Sequence, residues 1–263
     1  MKRVRLALLL ALAAGAIFLA QGVVAAELTA REIMEKVDAR DDGDNSTATL
    51  EMILIDKRGD ERVRRVNRST KDKGRDMQSV LFFLAPADVR GTGFLTYDYY
   101  SGERDDDQWL YLPALGRVKR IASSNKSGPF MGSEFSYEDL SSPEVEKYNY
   151  VYLGDETFDG REHFVLQRTP QDTRSGYRRM VVWLDKTHYR AFKIDYYDRR
   201  NTLLKTLTAE GFTLYGDRHW RATSMLMVNH QNGRSTGLQW TDYVFSNGYT
   251  EADFNRNNLS KIR

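Results

Sequence analysis

Cysteine is missing altogether from the 263 residues, which excludes disulfides, thiolate metal ligands and attachment of a lipid at a lipobox cysteine. Histidine is scarce. His163, His188, His219 and His230 lie far apart in the chain, and no two hold the spacing of a helical metal pair, so no zinc site is expected. Proline occurs five times and no low-complexity linker interrupts the chain, so one domain is expected over 27–263. Acidic residues are absent from the first 26 positions. There Lys2, Arg3 and Arg5 precede an apolar run from Leu6 to Ala20 and small residues ending at Ala26, the three-part pattern of a secretory signal peptide. That run falls short of the roughly 20 residues a membrane span needs, and cleavage is expected after Ala26, with the mature protein in the periplasm. Removing three of the 39 basic residues leaves 36 against 37 acidic ones, a balance that argues against a nucleic-acid partner.

What is present is strand-forming. After a short helix opened by Thr29 and Glu32, whose spacing is that of a capping box, the hydrophobic period changes from helical to two. "TATLEMILI" and "ERVRRVNRS" flank "DKRGD" as a hairpin, and about a dozen such runs follow, separated by turns rich in Asn, Asp and Gly. The pattern predicts a mainly β fold with few helices, built on a large curled antiparallel sheet. The segment from Ala122 to Pro143 is the exception. It is long, rich in Ser and Gly, and punctuated by Phe130, Met131, Phe135 and Tyr137, the pattern of a functional loop.

Catalytic chemistry is not legible. "MGSEF" lacks the second glycine of a nucleophile elbow, and the acidic runs Asp41–Ser46 and Glu103–Gln108 do not follow calcium-loop spacing. No metal, no cofactor and no enzymatic activity are expected; a carboxylate pair set only by separation in space stays open. Apolar surface is the stronger signal. In "QWLYLP", Trp109 and Tyr111 share one face while Leu110 and Leu112 share the other, so both faces are apolar. "SVLFFL", with Phe82 and Leu84, and "MVVWL", with Trp183, repeat this, and "SMLMV" puts Met225 and Met227 on one face. Such side chains either line a ligand cavity or form an ordinary core.

"QWLYLPALGRVKRI", "GPFMGSEFSYEDL", "WLDKTHYRAFKIDYYDRRNTLLKTL" and the closing "TDYVFSNGYTEADF" together resemble the outer-membrane lipoprotein-sorting-like family of bacterial periplasmic proteins, relatives of the lipoprotein carrier LolA. The resemblance implies an incomplete β-barrel around helices with an apolar cavity for acyl chains. It also implies a carrier of lipoprotein acyl chains or other lipid-like cargo that works with an inner-membrane transporter of the resistance-nodulation-division type; a monomer is expected. On this reading Phe82, Leu84, Trp109, Tyr111, Leu112, Phe130, Met131, Phe135, Trp183, Met225 and Met227 are the candidate cavity or lid residues, with Gly128 and Gly132 as hinges. Burying an acyl chain of about 16 carbons represents on the order of 12 kcal/mol of gross transfer free energy before ordering costs. The competing reading is a module that binds an envelope protein through a sheet edge, its interior filled by its own side chains.

Overall fold

A computed structural model describes residues 28–261 apart from 42 and 44; the signal peptide and its cleavage site lie outside them. Helix α1, Ala30–Asp38, starts where the capping box places it. The Glu32 amide donates to the Thr29 hydroxyl at 3.2 Å and the Thr29 amide to the Glu32 carboxylate at 2.7 Å, satisfying two otherwise orphaned donors. The helix buries Ala30, Ile33 and Met34.

Fifteen strands follow among the described residues: β1 Asn45–Ile55, β2 Glu61–Lys73, β3 Asp76–Ala85, β4 Gly93–Asp98, β5 Asp107–Leu112, β6 Arg117–Ile121, β7 Tyr148–Phe158, β8 Arg161–Pro170, β9 Tyr177–Asp185, β10 Ala191–Asp198, β11 Leu203–Glu210, β12 Thr213–Tyr215, β13 His219–Arg221, β14 Ser224–Asn229 and β15 Ser235–Phe245. Thirteen of them form one antiparallel sheet in the order β6-β5-β4-β3-β2-β1-β15-β14-β11-β10-β9-β8-β7, while β12 and β13 pair separately. Short turns make chain neighbours sheet neighbours, as the turn chemistry predicts. The exceptions are β14, which pairs with β11 past the separate β12–β13 hairpin, β15, which inserts between β1 and β14, and the pair β6 and β7, which lie at opposite ends of the sheet. The end strands β6 and β7 do not pair, so the sheet is not closed into a barrel.

Alternation sorts the side chains between two faces. Ala48, Leu50, Met52 and Leu54 of β1 join Val66, Leu81, Phe83, Phe94 and Leu110 in the main core on the inner face. That face is covered by α1 and by the connection from β6 to β7, which contains four short 3₁₀ turns. The "helices" inside this sheet are therefore one α-helix and irregular turns among the described residues. The outer face of β3 to β5 is apolar too, because the C-terminal segment folds back over it. Phe254 and Leu259 bury Val80, Leu95 and Trp109. Gly93 permits this approach, since a Cβ there would lie 2.8 Å from Leu259 Cδ1.

Candidate functional site: an apolar cavity on the inner face

The β6–β7 connection crosses the inner face and is held to both halves of the sheet. Phe130 is fully buried, its ring centroid 4.9 Å from Phe94, 6.0 Å from Phe83 and 5.7 Å from Tyr137. The carbonyl of Met131 accepts from Arg64 at 2.6 Å. On the other side Lys205 Nζ reaches Asp139 Oδ2 at 2.6 Å and the Glu134 carbonyl at 2.8 Å, and Tyr177 donates to Asp139 Oδ1 at 2.8 Å. The Lys205 and Asp139 side chains are each only 4 % exposed. Such a pair is held together by its extra hydrogen bonds, and removing one partner would strand a buried charge. Glu138 accepts from the Ser175 hydroxyl and the Gly176 amide, both at 2.8 Å, while burial raises its pKa.

Between this connection, α1 and strands β8 to β14 lies a cavity of about 330 Å³. Met180, Val182, Leu184, Ile194, Tyr196, Leu207, Ala209 and Met225 line the sheet side, and Met34, Val37 and Pro143 close the other. The register explains this wall. Leu166, Val182, Ile194, Leu207 and Met227 are successive cross-strand neighbours and make a continuous apolar row. Tyr150, Arg168, Met180, Tyr196 and Lys205 form the adjacent row, two residues along each strand. The volume falls at the lower end of the range for small-molecule sites. The cleft at the open seam between β5–β6 and β7–β8 is smaller, about 110 Å³, and is bridged by ion pairs of Arg174 with Asp105 and Lys147 with Asp106.

The structure divides the sequence-predicted site residues between the two faces. Leu112, Phe130, Met131, Phe135, Met225 and Met227 belong to the inner core, but only Met225 lines this cavity. Trp109 and Tyr111, expected to line a cavity, face the opposite side, packed beneath Phe254 and Leu259 and away from this cavity. Trp183 is likewise on the outer face, against Val165 and Val181, with its indole N–H donated to Glu156 at 2.8 Å. Phe82 and Leu84 flank an outer groove beside Tyr249 and Phe254. The segment from Phe130 to Phe135, expected as a lid, packs onto the inner core, with Met131 and Gly132 both at positive φ.

A family model described as an uncharacterized protein matches residues 75–261. The crystal structure of an outer membrane lipoprotein-sorting protein domain from Vibrio parahaemolyticus is 48% identical and covers 88% of this chain and 98% of its own, with a TM-score of 0.84. A DUF1329 family protein from Desulfovibrio piger is 31% identical over 88% of this chain and 97% of its own, also at 0.84. The chain belongs to the DUF1329 family. A LolA superfamily protein from Nitrosomonas europaea, 21% identical over 88% of this chain and 99% of its own, superposes at 0.71 and identifies the fold of this DUF1329 member as LolA-like. No curated protein matches the sequence.

Sequence reading missed Tyr148, Arg168, Tyr177, Met180, Tyr196 and Leu207, the side chains that line this DUF1329 cavity. The signal was available in "YRRMVVWLD". Trp183 draws attention by size, but Met180, Val182 and Leu184 hold the register that faces inward.

Proposed function

We propose that this protein is a periplasmic, non-enzymatic carrier of a lipid or lipoprotein acyl chain, with the inner-face cavity as its binding site. The observation that carries this reading is the 330 Å³ space, whose sheet wall is mainly aliphatic, Met and Tyr side chains, inside an unclosed sheet. Transfer of a chain into such a space needs no catalytic group. The family's lipoprotein-sorting relative and the LolA-like fold support it. A signal peptide ending at Ala26, a single domain over 27–263, a monomeric state and an inner-membrane transporter of the resistance-nodulation-division type as partner complete the proposal.

The test is organic extraction of protein purified from the periplasm, followed by mass spectrometry, together with titration of a fluorescent fatty acid. Co-purified lipid and saturable probe binding are expected. Ala209→Phe, which fills the cavity, should abolish the binding while destabilising the fold by about 1–3 kcal/mol. Protein that carries no lipid and binds no probe would instead favour the interaction module. One observation speaks for that second reading: Val151, Tyr152 and Leu153 on edge strand β7 are 51%, 38% and 52% exposed.

A further inference from the structure

Among the described residues Arg168 is a buried cation without an anion. It projects from the inner face of β8, opposite Tyr150 on one neighbouring strand and Met180 on the other. Only 7% of it is exposed, its Nε has no hydrogen-bond partner, and among the described residues no carboxylate pairs with its guanidinium. What it does touch is aromatic, the Tyr148 ring centroid lying 5.2 Å away. A buried guanidinium stays charged, and leaving it unpaired is unfavourable.

Two more donors stand in the same cavity. The hydroxyls of Tyr148 and Tyr196 make no hydrogen bond among the described residues, and both side chains line the cavity beside Arg168. Burial raises both phenols, so each remains an O–H donor. The acids that share the lining are already engaged: Asp139 with Lys205 and Tyr177, Glu138 with Ser175 and Gly176. The next row of the sheet is wholly apolar, from Leu166 through Val182 and Ile194 to Leu207.

We propose that Arg168, with the hydroxyls of Tyr148 and Tyr196, binds the anionic head of an amphiphile whose chain lies along that apolar row. The inference rests on the carrier reading and narrows its cargo to a chain ending in a carboxylate or phosphate. The anion supplies the guanidinium's missing partner, and charge-assisted hydrogen bonds at a buried site discriminate strongly against a neutral head.

Titration calorimetry at pH 8 with laurate, dodecyl phosphate and dodecanol, matched in chain length, tests it. At least one anion should bind about tenfold or more tighter than dodecanol. The preferred anion distinguishes a fatty-acid head from a phosphate head. Arg168→Met should erase the preference by weakening the anions to the affinity that the same variant shows for dodecanol, and Arg168→Lys should keep part of it. Because the change to Met removes an unpaired buried charge, the thermal midpoint should hold or rise. Equal binding of all three ligands, or a preference that survives in Arg168→Met, overturns the anion site and leaves the carrier reading standing. A fall in midpoint for Arg168→Met overturns it as well, because Arg168 would then be serving the fold. Failure of all three ligands to bind removes both readings.

Discussion

Asp98 is fully buried at the end of β4, where Ser141 and the Ser142 backbone approach its carboxyl group. Burial, reinforced by the nearby charge of Asp106 and opposed by Lys147, pushes its pKa up to about 7. In the unfolded chain the group titrates near its ordinary value of about 3.9. Between those values the folded protein retains a proton that the unfolded chain releases. Asp98 therefore stabilises the fold at acid pH, and this contribution is lost as pH rises through about 7. Asp98→Asn keeps the shape and removes the ionisation. Its stability relative to the parent should be nearly constant below pH 4, grow by up to a few kcal/mol from about pH 4 to pH 7 and level off above that. Denaturant midpoints measured across that range check it. A difference that stays flat through pH 8 would mean that Asp98 ionises freely in the folded state. Lys205 and Asp139 show the opposite arrangement, since their burial is compensated by a mutual ion pair and three further hydrogen bonds.

At the scale of elements, the β6–β7 connection determines how the inner face can work. Its sequence suggests a lid, because Ser and Gly surround isolated aromatics. Those aromatics are instead the anchors: Phe130 fills the space between Phe83 and Phe94, and Phe135 joins the same core. A carboxylate at position 130 would be buried without a partner, which costs several kcal/mol against a marginal total. Phe130→Asp should unfold the protein or sharply lower its denaturant midpoint. Met225→Asp, in the cavity wall, should weaken probe binding with a smaller loss of stability. If Phe130→Asp keeps its midpoint while losing the probe, the connection is a lid after all. The same contrast shows what the sequence can reveal. Period-two runs and turn residues disclose the strands and their pairing, because both depend on local backbone preferences. The capping box discloses α1 for the same reason. The faces are harder to read. "QWLYLP" is apolar on both sides, and only the return of Phe254 and Leu259, more than a hundred residues later, makes the Trp109 side a filled core. Arg168 resembles any strand arginine until its inward register and missing partner are visible.

The whole molecule is two meanders joined by one strand. β1 to β6 pair in chain order, β7 to β11 and β14 pair in chain order, and β15 lies between β1 and β14, closing the hydrogen-bond ladder across both halves. Each half carries its own tryptophan on the outer face, Trp109 in β5 and Trp183 in β9. The halves also share the inner core, where Leu238 and Trp240 of β15 pack with residues from both. The main inner core takes residues from both meanders and from that strand, so both should unfold together. Variants that retain only Trp109 or only Trp183 should give superimposable denaturant transitions in fluorescence. Leu238→Asp should destabilise both probes by the same amount, because the buried carboxylate lies in the strand that joins the halves. Two separated midpoints, or loss of one transition with the other unchanged, would show that each meander folds alone. The cavity, whose walls lie almost entirely in the β7–β14 half with α1 and the connection as its cover, would then be a property of one half rather than of the closed molecule.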